Sequence, residues 1–485
     1  MHQTIFTQGR RLCCLALSVL LLLTSGCASA PAPEPAEIPT EVPQETLIFH
    51  YGSDDQIAPA SPQACVLEAV YPASAPYPNE SAFWDSQTGE FDDEGYSAVY
   101  SAWREDQQSR RNQPEGYADN LRSFFSLGIP VFLSGEADNP VCSPLNIYMA
   151  LAMLAETTDA SSRQQILDAL GSGDLTALRT KAGQVWNAHY LADGSSATVL
   201  ANSLWLRDGL IYKEETIQTL AGNYFASVFQ GPLGSPEMNQ ALQDWINLQT
   251  QGLLKEHVGQ LQMDPNTVLA LASTVYYRAK WRNEFHEESN TEGPFHAPDG
   301  EQTVTFMNRT ISSGTYYWGE DFGATALPLE DGSAMWLILP DEGKTPADLL
   351  ASGHALDMIL TGIPDYENQK RLQVHLSLPK FDISADMQLQ SPLAALGITD
   401  VFQEGVADFT PILPETPAWL DAAEHAARVA IDEEGVTAAA YTVMMAVGNA
   451  MPPAEEVYLT FDRPFLFVIS SHDNLPLFAG IVNTP

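Results

Sequence analysis

The chain has little positive charge. Its 485 residues carry 22 Lys and Arg against 62 Asp and Glu, a formal net charge of −40. Such a chain repels phosphate backbones, so nucleic acid is excluded as a partner. The acidity reads as a solvated surface that serves solubility. Cysteine is scarce, with five in all. Two of these and scattered histidines show no ligand spacing, so neither a metal nor a cofactor is expected. No G-x-S-x-G motif and no paired acid/base constellation is present, which argues against a hydrolase. There is no internal repeat and no alternating βαβ order. A local absence carries the most information. No Lys or Arg lies between Val429 and Arg463, and residues 436–451 contain neither proline nor charge.

The N-terminus reads as a targeting segment. Arg10 and Arg11 precede an apolar run from Leu12 to Thr24. That run is shorter than the roughly 20 residues a membrane span needs. It leads into Leu23-Thr24-Ser25-Gly26-Cys27, which resembles a bacterial lipobox, with Thr24 where leucine is usual. Residues 1–26 are then a lipoprotein signal and Cys27 the acylated residue. The alternative is an ordinary signal peptide with an incidental cysteine. Residues 27–47, rich in proline and glutamate, read as an extended tether. The expected location is exported and lipid-anchored at a bacterial surface, or shed from it. Only Cys65 and Cys142 remain in the folded part. An exported protein allows a disulfide between them, but their proximity is left open.

Residues 48–116 are acidic and aromatic, with Tyr71, Tyr77, Phe83, Trp84 and Trp103 among them. They read as an N-terminal extension packed on the main body, helical around 94–112. Beyond it, apolar spacing predicts a helix over Tyr117–Leu133. A second, nearly all-apolar helix is predicted over Pro144–Ala155, with proline at its start. A third over Ser161–Leu170 would be capped by serine. Strands are predicted at Leu204–Arg207, Val268–Tyr277, Met335–Leu339 and Leu372–Leu378. This mixture indicates an α+β domain.

A series of blocks then resembles the serpin family in order and spacing. They are Asn139 to Ile147, Ala201 to Trp205, Ile246-Asn247 with Thr250 to Gly252, and Leu269 to Trp281 with Phe285, Thr291 and Phe295. Leu378 to Phe381, Leu393 to Phe402, Val429 to Ala440, Phe461 to Ile469 and Pro476 to Asn483 complete the series. The resemblance covers 117–485. It implies a large mixed sheet that accepts a reactive loop, two smaller sheets and about eight to nine helices. It also implies a monomeric inhibitor, not an enzyme, which serine proteases cleave and are then trapped by. The alternative is a non-inhibitory surface lipoprotein of the same fold that binds a glycan or a host protein.

The same resemblance assigns positions. Glu433, Glu434, Gly435, Val436, Thr437, Ala438, Ala439 and Ala440 match the hinge, and Trp281 the breach at the top of the sheet. Ser143, Asn146, Ser273 and His425 match the shutter cluster. Asn146 stands where serine is usual and Ser273 where asparagine is usual. Either the two form a reciprocal exchange that keeps one buried contact satisfied, or they are unrelated changes solvated by water. Counting from Glu433 places the reactive bond at Asn449-Ala450, with Gly448 and Met451 as neighbouring candidates.

Period-two reading of the hinge puts Val436, Ala438, Ala440, Thr442, Met444 and Ala446 on one face. That set is small or apolar, and Tyr441 falls on the other face. Asp432-Glu433-Glu434 reads as a solvated approach to the hinge. The small, neutral loop favours elastase-like or subtilisin-like proteases over those that cleave after a basic residue. An asparaginyl-specific cysteine protease is a lesser option.

Overall fold

The computed structural model describes residues 64–85, 88–135, 137–361, 366–436 and 455–485. The signal segment, Cys27 and the tether lie outside the described residues, as do Thr437, Ala438, Ala439, Ala440, Asn449 and Ala450. In chain order, β1 (Cys65–Leu67) and α1 (Asp93–Arg111) precede α2 (Asp119–Phe132), β2 (Val141–Cys142), α3 (Pro144–Thr157), α4 (Ala160–Ala169) and α5 (Leu175–His189). Then come β3 (Leu191–Ala192), β4 (Ala197–Arg207), α6 (Glu214–Tyr224), β5 (Ala226–Gly231), α7 (Pro236–Gln249), α8 (Lys255–Val258) and β6 (Leu269–Lys280). The middle of the chain holds β7 (Thr291–Ala297), β8 (Gly300–Trp318), β9 (Phe322–Pro328), β10 (Ala334–Pro340), α9 (Pro346–Ser352) and α10 (His354–Thr361). β11 (Gln369–Pro379), β12 (Phe381–Gln388), α11 (Gln390–Ala395), β13 (Glu424–Ile431), β14 (Gly435–Val436), β15 (Glu456–Thr460), β16 (Phe465–Ser470) and β17 (Pro476–Val482) close it.

The strands form a mixed eight-stranded sheet ordered β1-β5-β4-β6-β14-β13-β12, with β3 beside β4. A nine-stranded sheet follows β15-β11-β8-β9-β10-β16-β17-β2, with β7 beside β8. The two smaller sheets expected from the sequence are therefore one hydrogen-bonded path here. The reason is β8. Its 19 residues far exceed the usual strand of about 5–6 residues. Its first half pairs with β7, its centre with β11 and its last residues with β9. Eleven α-helices occur among the described residues, more than the eight to nine expected. Part of the difference is α1, in the extension, and the short α8 and α11. Among the described residues no helix is long and apolar enough to cross a membrane.

Helix α3 shows how sequence becomes core. Ser143 caps it by accepting from the Asn146 amide, and Pro144 occupies the first turn, where its missing N–H costs nothing. Every residue of α3 except Ala150 is buried. A helix apolar all round has no solvent face and must sit inside the domain. It packs against β6 and β17 and so joins the two sheets. The predicted serine cap on α4 is not formed. Asp159 takes the cap position without a side-chain bond, and Ser161 lies in the first turn. The predicted strands are longer than the pattern suggested, because burial on both faces of β4 and β10 erases the alternation that marks strand ends.

The extension folds onto the body through specific contacts. β1 adds to the edge of the large sheet, pairing Cys65 with Phe229 and Leu67 with Val228. Tyr71 stacks on Tyr190 and Trp186, with centroids 5.4 and 5.8 Å apart. Trp103 of α1 donates its indole N–H to Asp193, whose carboxylate also accepts two backbone N–H groups. Cys65 and Cys142 are both free thiols on strands of different sheets.

Trp103→Phe keeps a ring against Tyr77 but leaves the buried Asp193 carboxylate one donor short. The expected cost is about 1–3 kcal/mol, read as an earlier midpoint in urea unfolding. An unchanged midpoint would show that the extension does not share the stability of the body.

Candidate functional site

The hinge is held at its base by its own backbone. Asp432 accepts from the amides of Glu434 and Gly435, at 2.9 and 3.1 Å, which closes a tight turn after β13. The carbonyls of that turn point at β6 and the segment after it. Trp281 Nε1 donates to the Asp432 carbonyl at 2.8 Å, and the Trp281 amide to that of Glu434 at 2.9 Å. The Phe285 amide donates to the Glu433 carbonyl at 2.8 Å. Trp281 is itself 1% exposed. One buried indole thus fixes where the hinge begins.

Gly435 and Val436 then form β14. Gly435 lies opposite Lys280 and Val436 opposite Ala279, while on the other side Val436 lies opposite Ile431. Among the described residues β14 is the link between β6 and β13 in the large sheet. Glycine is required at 435 by proximity, since a Cβ there would lie 2.3 Å from the Ala279 carbonyl oxygen. Val436 is 1% exposed and belongs to the main core.

Glu433 is buried rather than solvated, which corrects the sequence reading of Asp432-Glu433-Glu434. Its carboxylate meets Lys380 Nζ at 2.5 Å and accepts from the Asn290 amide. Burial alone would raise its pKa; the bonds from Lys380 and Asn290 outweigh it and hold the group below the usual range. Glu434 goes the other way. Burial and the nearby Asp432, Glu284 and Glu287 charges raise it, with Lys280 opposing. Sequence reasoning did not assign Lys380 or Asn290 to the site. They come from the single residue between β11 and β12 and from the loop before β7, and no local spacing joins them to the hinge. The Asp432-x-x-Gly435 turn was detectable, since aspartate ahead of glycine favours such turns.

The four residues matched to the shutter are linked by hydrogen bonds between α3, β6 and β13. The Ser143 amide donates to His425 Nε2 at 3.0 Å, and the Ser143 hydroxyl donates to the Leu477 carbonyl at 2.7 Å. His425 is therefore the tautomer with hydrogen on Nδ1. Asn146 Nδ2 donates to the backbone carbonyl of Ser273 at 3.1 Å. The exchange of amide and hydroxyl is thus not a side-chain pair, because the Asn146 amide reaches past the Ser273 hydroxyl to the strand itself. The Asn146 carbonyl oxygen is buried without a hydrogen-bond partner among the described residues.

Residues 125–485 match the family model described as Serpin (serine protease inhibitor). The chain belongs to the serpin family. Members usually inhibit serine proteases, and the relatives of this chain support an inhibitor. It is similar to alpha-1-antitrypsin 1-3 of Mus musculus, 30% identical over 383 residues, which covers 76% of this chain and 89% of the relative. It is also similar to alpha-1-antiproteinase of Callosciurus caniceps, 30% identical over 389 residues, with the same coverages of 76% and 89%. Its fold is similar to that of the thermophilic serpin Tengpin in the native state, with TM-score 0.68 and 24% identity over 77% of this chain and 95% of that one. It is likewise similar to human glycosylated kallistatin, with TM-score 0.64 and 23% identity over 77% and 99%.

In this serpin the buried His425, bonded by the Ser143 amide, gives the fold a pH dependence. Burial lowers its pKa from 6.5 to about 4, only partly opposed by the Asp386 charge. The unfolded chain therefore binds this proton more readily than the folded one. Stability from neutral His425 is complete above about pH 6.5 and is lost as pH falls to 4, by roughly 3 kcal/mol. His425→Gln should be less stable at neutral pH but should lose this slope. Thermal midpoints of both proteins across that range test it, and parallel curves would refute it.

Proposed function

We propose that this serpin is a suicide-substrate inhibitor of serine proteases, with elastase-like or subtilisin-like targets. The protease serine attacks the Asn449 carbonyl, the bond to Ala450 breaks, and the amine leaves with a proton. Asn449 is then an ester on the enzyme. The freed loop enters the large sheet as a strand and carries the enzyme with it.

The observation that carries this reading is β14. The first two residues of the inserting segment already occupy a strand position between β6 and β13. Continuing the same register along β6 would set Ala438 opposite Tyr277, Ala440 opposite Val275 and Thr442 opposite Ser273. Along β13 the partners would be Val429, Ala427 and His425. On β13 the side of Val436 is lined by Ala427, Val429 and Ile431, all buried. A loop without charge or proline can enter such a groove without losing ladder bonds or desolvating an ion. Thr442, the one hydroxyl of the inward set, would arrive beside His425 and Ser273. The lipobox-like segment supports a further part of the proposal: export and anchoring through Cys27, which Cys27→Ser should abolish in a fatty-acid labelling experiment.

Incubation with a panel of serine proteases, followed by denaturing electrophoresis, should yield a complex that survives boiling, together with the loop-cleaved form. Mass spectrometry of the cleaved form should find the cut at Asn449-Ala450. Val436→Arg places a charge where the core accepts none, at a cost of several kcal/mol. It should still be cleaved but should leave the protease active. If the unaltered protein is also only cleaved, the chain is a non-inhibitory member that binds by its surface.

A further inference from the structure

Far from the hinge, three side chains with ligating atoms meet where α5 ends beside the β16–β17 turn. His189 is the last residue of α5, and His472 and Asp473 lie in the turn. One ligand atom from each of the three lies within 4.8 Å of the others. We propose that His189, His472 and Asp473 bind a divalent transition-metal ion, with zinc the best match.

The hydrogen bonds of His189 frame the argument. Its Nδ1 lies 2.7 Å from the Val185 carbonyl, which can only accept, so Nδ1 carries the hydrogen. Nε2 then presents a lone pair to Asp473 Oδ1 at 3.1 Å, one acceptor facing another. Either a second proton or a cation must lie between them. The His472 ring stands beside it, with centroids 5.6 Å apart, and its nitrogens make no protein hydrogen bond among the described residues. A second imidazole nitrogen within 4.8 Å of the pair favours the cation.

The surroundings fit a metal centre. Ligating histidines commonly donate their other N–H to a carbonyl or carboxylate, as His189 does to Val185. The Asp473 carboxylate is oriented in turn by the hydroxyls of Ser471 and Tyr117. Two imidazoles and a carboxylate form a nitrogen and oxygen set suited to zinc, with one position left for water. Tetrahedral ligation at about 2.0–2.1 Å needs ligand atoms roughly 3.4 Å apart. His189 and Asp473 are already that close, and a ligand atom of the half-buried His472 lies within 4.8 Å of both. The cleft beside the cluster is lined by Gln107, whose side-chain amide nitrogen is buried without a partner among the described residues. It offers a donor to a metal-bound water. Arg111 and Arg122 bring positive charge, but Arg111 bonds the Asp331 carbonyl and Arg122 those of Asp473 and Leu360. The carboxylates of Asp193 and Asp331 lie close enough to act on Arg111 as well.

The test is calorimetric titration of the chelator-treated full chain with zinc chloride at neutral pH. One equivalent should bind with micromolar or tighter affinity and raise the thermal midpoint, and cobalt(II) in its place should give visible d–d absorption. His472→Ala, which sacrifices no protein hydrogen bond, should weaken binding at least tenfold while keeping the metal-free midpoint. No uptake by the unaltered chain would mean that the contact between His189 and Asp473 is a structural pair alone, and the proposal fails. It fails equally if His472→Ala binds zinc as tightly as the unaltered chain. No protease takes part, so the outcome is independent of the inhibitory reading.

Discussion

The close approach of the Gly435 backbone to β6 is the constraint on which the rest of the site depends. No side chain fits between the Gly435 Cα and the Ala279 carbonyl. Glycine lets the chain leave the turn at Asp432, pass within hydrogen-bonding range of β6 and deliver Val436 into the core between Ala279 and Ile431. A bulkier residue would hold the segment off the sheet edge. β13 and β6 would then lose the two-residue strand that joins them among the described residues.

Around that contact the fold divides the work between backbone and charge. Trp281 and Phe285 bind the carbonyls of residues 432–434, so the hinge is positioned whatever its side chains are. Glu433 adds an ion pair with Lys380 in which the carboxylate is buried and the ammonium partly exposed, so water screens it only in part. Removing one partner of such a pair leaves a buried charge unpaired, which is more costly than losing a surface salt bridge. Deeper in the sheet, Ser143 ties the start of α3 to His425 on β13, and Asn146 ties it to Ser273 on β6, with hydrogen bonds that avoid net charge. Ala427, Val429 and Ile431 on β13 are buried and small or apolar, and the sequence after Val436 is equally free of charge.

Much of this was legible in the sequence because it is local. The α3 segment announces itself by proline at its start and apolar residues on every face. The hinge does so by the run of small residues after Gly435, and the absence of charge in 436–451 needs no structure to be seen. What was misread is what depends on partners distant in the chain. Glu433 looked solvated because carboxylates in an acidic chain usually are, and nothing near it in sequence names Lys380 or Asn290. For Asn146 and Ser273 the sequence left open a side-chain exchange or two unrelated changes. The amide instead reaches a strand carbonyl, a target present at every residue and so invisible to sequence comparison. His189 and His472 carry no ligand spacing for the same reason. One ends a helix and the other sits in a turn near the C-terminus, and only folding makes them neighbours.

By itself the sequence determined the class of fold, the order of its blocks and the chemistry of the loop. The α+β class follows from periodicity, the neutral, proline-free character of 436–451 from composition, and the order of the blocks from their resemblance to the serpin family. The tertiary structure decided which carboxylate is buried, which carbonyls Trp281 and the Asn146 side chain bind, and that one long strand merges two expected sheets into a single path. Those outcomes depend on distances between residues hundreds of positions apart, and a linear pattern has no term for such distances.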